Sequence, residues 1–411
     1  MEGFKPIART GEDFIEMYLK FSENTISPIS YHKWMALSCL SAVAQRKIWL
    51  VHGHGNVYPN LFVILVGPTA NGKGLAMRVG KDLIKKYVPA VKLSPDSTSR
   101  RGLMEDIMKA KTGGSFYDDT DDTTGSLMHR SMTCMLEECI NFFSVEPSET
   151  RDFLIEAYDC RDFYHKTKHH GEEDITNMYL NFMGATTEQI VKRLLPEDAF
   201  SGGFASRIIF IYEERARKRL AFPKPIDRVL EKKLANDLNS IAQTYGVFKW
   251  SAKAGKWYEK WLEEYLNDLE KKLYDPRMDG FYYRKSDITL FKMSQLMSLA
   301  ESNELVIEVR HLERSLEFLE EVEPKMKGAF TYLGENKLAI TMSEIEKQVK
   351  LEGQVEYGKL LSLHSYNIRF VEFQEILATL KSCGKIDIVR DDSGKLMVTW
   401  KQGADDDISK V

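Results

Sequence analysis

The feature that most constrains the fold of this chain is the segment 61–74, which reads LFVILVGPTANGKG. A run of apolar, partly β-branched residues stops at Gly67, a short polar loop follows, and Lys73 opens a segment of helical composition. A strand, a loop with the spacing G-x-x-x-x-G-K and a helix are typical of a phosphate-binding P-loop. The glycines let backbone N–H groups turn toward a phosphate, and the helix N-terminus adds a positive dipole.

This spacing predicts a nucleotide site in which Lys73 reaches the β- and γ-phosphates. The residues of the site are consecutive: Gly67, Pro68, Thr69, Ala70, Asn71, Gly72, Lys73, Gly74 and Leu75. The loop departs from the usual pattern at Gly74, where a Ser or Thr hydroxyl normally ligates Mg²⁺. The loop still suits a nucleotide, but other groups must hold the metal. A glycine-rich turn without a ligand is the alternative that this motif alone leaves open.

Length, charge and cysteine content narrow the class of protein. A chain of 411 residues predicts two or three domains. The net charge of -4 gives no overall attraction to nucleic acid, so any DNA contact must rely on local basic patches. The five cysteines contain no C-x-x-C pair, which favours reduced thiols over disulfides or a zinc site. Without a signal peptide or a membrane-spanning apolar run, we expect a cytoplasmic protein with no membrane contact.

Hydrophobic periodicity divides the chain into five parts. Residues 1–55 have a helical pattern, residues 56–225 alternate strands with helices, and residues 226–335 are almost wholly helical in pattern. Residues 336–402 have the pattern of a winged helix, and residues 403–411 form a polar, acidic tail that is typical of disorder. We therefore expect an α/β core with a parallel sheet and flanking helices, then an all-α region and a C-terminal winged helix. The core strands are predicted at residues 61–66, 90–93, 132–136, 179–184 and 207–212.

A second candidate for chemistry is the apolar strand 132–136, which ends in Glu137 and Glu138. Two adjacent carboxylates at a strand end form a Walker B arrangement. Glu137 would hold Mg²⁺ through water, and Glu138 would polarise an attacking water molecule. A buried strand with a solvated acidic pair at its end is the alternative. The position of the pair downstream of a P-loop favours the catalytic interpretation.

Hydroxyl groups end the next predicted strand, at Thr186 and Thr187. A polar side chain at this strand end can orient the attacking water, and Thr187 is the first candidate and Thr186 the second. A hydroxyl-stabilised turn at the end of a strand is the alternative interpretation.

Two arginines are candidates for phosphate contacts. Arg207 follows the glycine-containing loop 201–206 and precedes a strand, which suits an arginine finger that reaches the γ-phosphate of a neighbouring subunit. Arg284 opens a helix in the region of helical pattern and is a candidate second sensor of phosphate. Ordinary surface arginines are the alternative for both positions.

A basic segment, FYHKTKHHGEE at residues 163–173, lies between the acidic pair and the threonines. Its lysines could bind phosphates and its rings could stack on the bases of a single DNA strand. The candidate DNA-binding residues are Tyr164, His165, Lys166, Lys168, His169 and His170. A solvated loop is the main alternative, and a metal site at the paired histidines is a weaker one because no spaced ligand set accompanies them.

In this order, the motifs resemble the ATPase domain of phage, plasmid and genomic-island replication proteins. The residues that carry the resemblance are the run 58–68, Tyr158-Asp159 with the basic loop, the run 184–188 and the run 203–207. The layout is also similar to that of ring-forming AAA+ helicases of the superfamily-three and minichromosome-maintenance kinds. The resemblance implies ATP and Mg²⁺ as ligands, a homo-oligomer, usually a hexamer, and a single DNA strand in a central channel. It further implies a helical lid, Arg207 as a finger acting on another subunit, and a DNA-gripping role for Lys166 and Lys168.

The function we expect is therefore an ATP-dependent, ring-forming DNA motor, the replicative helicase of a phage or other mobile element. A primase or a replication-initiation protein is a possible partner, in the host cytoplasm. The first alternative is a nucleotide-switched loader or scaffold that assembles on DNA with little hydrolysis, which Gly74 keeps open. A small-molecule kinase is a third interpretation, but such an enzyme needs neither a late arginine loop nor a winged helix.

Overall fold

The computed structural model describes residues 8–118, 123–167, 171–194, 203–217, 221–222, 225–269, 276–330, 337–365, 368–391 and 394–401. The chain divides into two compact units, Met1–Thr331 and Tyr332–Val411. The protein is mixed α/β, with many helices and with sheets that contain parallel strand pairs.

The strands are numbered in chain order. They are β1 Ile48–His52, β2 Gly55–Val57, β3 Phe62–Val66, β4 Lys111–Asp118, β5 Thr123–Leu136, β6 Phe163–Thr167, β7 Gly171–Ile175, β8 Met178–Thr186, β9 Ile209–Tyr212, β10 Gly246–Trp250, β11 Val306–Ile307, β12 Gln354–Glu356, β13 Ile386–Arg390 and β14 Leu396–Trp400.

The α-helices of the described residues are numbered in the same way. They are α1 Phe14–Phe21, α2 Ile29–Ala44, α3 Lys73–Tyr87, α4 Arg100–Lys109, α5 Ile140–Phe143, α6 Pro147–Tyr158, α7 Glu188–Leu194, α8 Arg228–Ala242, α9 Ala252–Asn267, α10 Asp279–Arg284, α11 Leu290–Glu301, α12 Val309–Ala329, α13 Lys337–Glu352, α14 Tyr357–His364 and α15 Phe370–Ser382.

The main sheet of the first unit has the strand order β4-β5-β8-β3-β9. Strands β5, β8, β3 and β9 run parallel, and β4 is antiparallel to β5. Every residue of β3 is buried, as expected for a continuous apolar run between two parallel neighbours. The register sets Val66 beside Thr186 of β8 and Tyr212 of β9, so these three strands end at one edge of the sheet.

Most of the predicted core strands are present, with one exception and one extension. Residues 90–93 contribute only an isolated parallel bridge between Leu93 and Thr133. The predicted strand 132–136 is the last part of the much longer β5, which forms a hairpin with β4. The strand predicted at 207–212 begins at Ile209, because Arg207 ends a short 3₁₀ turn.

The expectation of an all-α region after the core is wrong at two places, where the chain forms the short strands β10 and β11. A second sheet has the order β11-β10-β1-β2, so the first 55 residues and the later helical region each supply strands to it. Both β10 and β1 are only five residues long and follow helical segments. Periodicity alone does not distinguish such short runs from helical segments.

The N-terminal helices belong to the core of the first unit. Helix α2 is buried around almost its whole circumference. Two of its serines bind the main sheet: the Tyr179 hydroxyl donates to the Ser41 carbonyl at 2.8 Å, and Asn181 Nδ2 donates to the Ser38 carbonyl at 3.1 Å. These bonds satisfy polar groups that burial would otherwise leave unpaired. Helix α2 is therefore a fixed support beneath the sheet.

The second unit has its own core. Helices α13, α14 and α15 pack against an antiparallel sheet of order β12-β14-β13, around buried residues that include Ile345, Phe373 and Val398. Helix α15 is followed by the β13–β14 hairpin, in which Ile386 pairs with Trp400 and Arg390 with Leu396. Across the described chain, no helix is both long enough and apolar enough to cross a lipid bilayer.

Phe182 of β8 tests the packing of the main sheet, because its buried ring lies 5.7 Å from that of Phe62 and 5.9 Å from that of Phe142. We expect Phe182→Ala to lower the free energy of unfolding by about 3–5 kcal/mol, since the lost contacts leave a cavity. Phe222→Ala is the control, because that ring is 93% exposed, and we expect a change within about 0.5 kcal/mol. Denaturant unfolding followed by tryptophan fluorescence measures both, and equal losses would contradict the packing described here.

Candidate functional site

The glycine loop, defined as residues 67–74, connects the end of β3 to the start of α3. The loop needs left-handed backbone at Ala70, with φ of 65°, and at Gly72, with φ of 92°. Gly67 also has no room for a side chain, because a Cβ there would overlap the Asn71 side chain and the Glu213 carbonyl. The chain therefore reverses sharply after β3, and α3 begins at Lys73 with its N-terminus at the loop.

Side chains from the segment before β1 hold this loop from outside. The Tyr31 hydroxyl donates to the Val66 carbonyl at 2.7 Å and accepts from Asn71 Nδ2 at 2.9 Å. Ser27 Oγ donates to the Gly72 carbonyl at 2.7 Å. Burial raises the pKa of Tyr31, so its hydroxyl stays protonated and remains a donor. Sequence reasoning missed these supports, since nothing in the local pattern links residues 27–31 to a loop about forty residues later.

Lys73 lies at the mouth of the loop. Its ammonium donates to the carbonyls of Gly67 at 2.6 Å and Pro68 at 2.8 Å, and to Asn71 Oδ1 at 3.2 Å. These acceptors are neutral oxygens, and no carboxylate of the described residues is in ion-pair contact with the ammonium. Burial lowers the pKa of Lys73, and the nearby charge of Glu188 opposes that shift. The ammonium can therefore exchange loop carbonyls for a stronger anionic acceptor.

Glu137 and Glu138 follow β5 at the same edge of the sheet, and both side chains are exposed. The Glu137 carboxylate lies directly over Gly74, where a Cβ would overlap with Oε2. The other carboxylate oxygen is 3.5 Å from Arg78 Nε. The missing side chain at Gly74 thus makes the space that Glu137 occupies. The carboxylate of Glu137, which directly follows β5, therefore occupies the place of a hydroxyl side chain at position 74.

The two threonines differ in their surroundings. Thr186 is the last residue of β8, is 6% exposed, and its Oγ1 has no hydrogen-bond partner among the described residues. Thr187 is more exposed, and its carbonyl accepts the N–H groups of Ile190 and Val191 in the first turn of α7. Buried hydroxyls normally make hydrogen bonds. The geometry therefore favours Thr186, the second candidate from the sequence, as the hydroxyl that binds a ligand or water.

Arg207 and Arg284 lie at the other edge of the main sheet. Arg207 is 9% exposed, and its guanidinium donates to the Gly203 carbonyl and to Asp159, both at 2.8 Å. Arg284 is 3.7 Å from the same carboxylate. Because Ile209 pairs with Val63, Arg207 lies level with the start of β3, about 20 Å from the glycine loop at 3.3 Å per residue. The arginines and the loop of one chain therefore cannot form one site.

The basic segment forms the antiparallel β6–β7 hairpin, in which Phe163 pairs with Ile175 and Thr167 with Gly171. Tyr164 is 67% exposed on this hairpin, and His165 and Lys166 belong to β6. Lys168, His169 and His170 lie outside the described residues.

A wide cleft of about 1460 Å³ opens beside α3, directly after the loop. Apolar side chains of Ile26, Leu75, Val79 and Ile226 line it, together with polar residues that include Asn24 and Thr25. A cleft with apolar walls and a few polar groups suits a planar organic group. The sequence pointed to Leu75 but not to the rest of this cleft, whose walls are far apart along the chain.

Neither similarity to known proteins nor a metal-binding geometry identifies the function of this site. The chain matches no model of a known protein family, and a search of curated proteins finds no significant relative. Within the described part of the chain, no group of three or more His, Cys, Asp or Glu side chains is arranged to hold a metal ion.

Tyr31→Phe tests the support of the loop. It removes one hydroxyl that makes two buried hydrogen bonds, and each partner keeps a second bond to Glu213. At about 0.5–1.5 kcal/mol for each lost bond, we expect a loss of about 1–3 kcal/mol in the free energy of unfolding. Tyr283→Phe is the matched control, because the ring of Tyr283 is 58% exposed, and we expect almost no change. Thermal and denaturant unfolding of the two variants measure the difference. A Tyr31→Phe protein as stable as the control variant would contradict the supporting role.

Proposed function

We propose that this protein is an ATP-dependent, ring-forming DNA motor, the replicative helicase of a phage or other mobile element. The observation that carries the proposal is the position of the Glu137 carboxylate over Gly74, at the sheet edge that also holds Lys73 and Thr186. In this proposal β3, the glycine loop and α3 form the centre of a P-loop ATPase core, residues 226–335 form the helical lid region, and residues 336–402 form a winged helix.

The residues present fit ATP and Mg²⁺ as the ligands. Backbone N–H groups of the loop and the Lys73 ammonium would hold the phosphates, because the loop is free of side chains at Gly67, Gly72 and Gly74. Glu137 would hold Mg²⁺ through water, and the metal would neutralise charge on the phosphate oxygens. The cleft lined by Leu75 and Val79 is suited to the base. This set compensates for the hydroxyl that Gly74 lacks.

Hydrolysis in this site would depend on Glu138 and Thr186. The Glu138 carboxylate would accept a proton from the attacking water, and the unpartnered Thr186 hydroxyl would orient that water. Lys73 would stabilise the charge on the transferring phosphoryl group. Arg207 and Arg284 would complete the site of another copy, because about 20 Å separate Arg207 from the loop of its own chain.

The DNA part of the proposal rests on the β6–β7 hairpin and on the resemblance of the motifs. The exposed Tyr164 can stack on bases, and Lys166 and Lys168 can bind backbone phosphates of one strand in a central channel. Helix α15 of the second unit carries Glu372 and Glu375, which are unfavourable near phosphates. We therefore assign the second unit to partner contacts, for example with a primase or an initiation protein.

A loader or scaffold that switches with ATP but rarely hydrolyses it is the second candidate. Two observations favour it: Gly74 provides no metal-binding hydroxyl, and Arg207 is buried against Asp159 rather than presented at the surface. Such a protein would assemble on DNA in the presence of ATP and would be indifferent to Glu138→Gln.

The main test is ATP turnover with and without single-stranded DNA. We expect DNA to stimulate turnover, and Lys73→Ala, Glu138→Gln and Arg207→Ala each to reduce it by at least about 10³-fold. Mixing Lys73→Ala with Arg207→Ala subunits should restore about a quarter of wild-type turnover, since one partner supplies the loop and the other the finger. ATP-dependent assembly without turnover would select the loader, and the absence of any ATP binding would refute both candidates.

Gly74 provides a second test through a matched pair of substitutions. A side chain at this position displaces the tip of Glu137, which is exposed and can move, so both variants should fold with near wild-type stability. Gly74→Ala should lose about 10–100-fold in turnover, because no hydroxyl replaces the displaced carboxylate. Gly74→Ser should retain more turnover because it supplies that hydroxyl. Equal turnover in both variants and the wild type would contradict the role of Glu137.

A further inference from the structure

A cluster of cations surrounds one carboxylate at the edge of the main sheet that is remote from the glycine loop. We call it the amino-edge cluster and define it as Asp159 with Arg161, Arg207, Arg284 and Lys292. Asp159 is 2.8 Å from Arg207, 3.6 Å from Arg161 and 3.7 Å from Arg284. One carboxylate therefore faces three guanidinium groups.

Lys292 adds a fourth positive charge behind these arginines. Its ammonium is buried, and its acceptors among the described residues are neutral oxygens: the carbonyls of Tyr58 and Tyr158, both at 3.1 Å, and the Asn60 side chain. Burial lowers the pKa of Lys292 to about 8, while the charge of Asp159 raises it. The ring of Tyr158 is close to both cations: its centroid is 4.4 Å from the Lys292 ammonium and 6.0 Å from the Arg207 guanidinium.

The cluster carries more positive than negative charge. Glu156 is the other carboxylate in ion-pair range, at 3.5 Å from Arg161, so two carboxylates face four cations among the described residues. Arg207 Nε is buried and has no hydrogen-bond partner in the described chain. Uncompensated charge in a partly buried site is unfavourable, and an added anion relieves it.

The cluster also has a cavity and an unusual backbone. A cavity of about 280 Å³ is lined by Asp159, Arg161, Arg284 and Lys292, together with His52 and Tyr58. The helix that carries Arg284 continues as a π-helical turn, Lys285–Thr289, before α11 begins. Cys160, directly after Asp159, has a φ of 53°, a strained value for a residue other than glycine. π-Helical turns and strained residues concentrate at functional sites.

We propose that the amino-edge cluster binds a phosphate group delivered by another molecule, and that Asp159 takes the place of that group in the isolated chain. The two carboxylate oxygens of Asp159 take the place of two anionic oxygens of the phosphate and hold the arginines together. The incoming phosphate, which carries more charge and more acceptor oxygens, displaces the carboxylate. The phosphate of the same chain's glycine loop is excluded by the separation of about 20 Å.

Inorganic phosphate is the probe for the anion site, and it requires no ATP turnover. We expect Asp159→Asn to lower the unfolding temperature by several degrees in chloride, because the cations lose their counter-ion. Phosphate at matched ionic strength should recover most of that loss, and should raise the unfolding temperature of the wild type much less. Glu156→Gln, which removes the carboxylate that pairs with Arg161 alone, is the control and should respond like the wild type.

A loss in Asp159→Asn that phosphate repairs no better than chloride would overturn the proposal and leave Asp159 a structural ion pair. If Asp159→Asn does not fold, Arg284→Gln replaces it, since this side chain is 26% exposed and easier to change. That variant should abolish the small phosphate effect seen in the wild type. An unchanged effect would again overturn the proposal.

Two further measurements identify the source of the phosphate, a step that rests on the proposed function. If the γ-phosphate of ATP in a second copy is the source, Asp159→Asn should lower the protein concentration for ATP-dependent assembly by about tenfold, whereas DNA binding without nucleotide stays unchanged. If nucleic acid is the source, the variant should bind a labelled single-stranded oligonucleotide more tightly without ATP. No change in either measurement would overturn delivery by another molecule, even where inorganic phosphate binds.

Discussion

The rest of the structure depends on the parallel pairing of β3 with β8 on one side and β9 on the other. The pairing occupies the backbone hydrogen bonds of β3, and the elements packed on the sheet bury both of its faces, which only an uninterrupted apolar strand tolerates. The chain must then leave the sheet abruptly, and the glycine loop permits this before α3 begins. Since parallel strands share their polarity, one edge collects the loop, the acidic pair and Thr186, while the other collects Asp159 and its arginines.

The loop is held mainly by groups outside it. A nucleotide-binding loop needs fixed N–H directions, but a short loop without regular secondary structure has few internal bonds. Tyr31 and Ser27 supply hydrogen bonds from the segment before β1, and α2 is in turn bound to β8 through Ser38 and Ser41. The segment 27–44 thus belongs to the same compact unit as the loop. Truncation of this segment would disturb the loop even though none of its residues belongs to the predicted nucleotide site.

Local patterns predicted much of this arrangement. The apolar run of β3, the glycines and the acidic pair after β5 each leave a signal within about a dozen residues, and strand and turn chemistry is readable over that range. The contacts that complete the site are not local. Glu137 meets Gly74, Tyr31 meets Val66, and Asp159 meets Arg207 and Arg284, and the partners in each pair are separated by 35 residues or more. Likewise, strand β10 depends on β1 for a pairing partner, and β11 pairs with β10 in turn. The surrounding sequence has a helical pattern, so local patterns do not show these two strands.

The positions of the two sheet edges restrict the symmetry of any assembly in which the carboxyl edge of one copy meets the amino edge of another. The carboxyl edge has an ammonium and two carboxylates around a glycine loop, and the amino edge has an excess of guanidinium groups. If they meet in neighbouring copies, two different surfaces on opposite sides of the chain form the interface, and such an interface is heterologous. A two-fold dimer could pair both edges only if one self-complementary surface contained them, whereas these edges lie on opposite sides of the main sheet. Repeated contacts of this kind either close into a ring or continue as a helical filament, so the proposed motor and the proposed phosphate site require the same head-to-tail geometry.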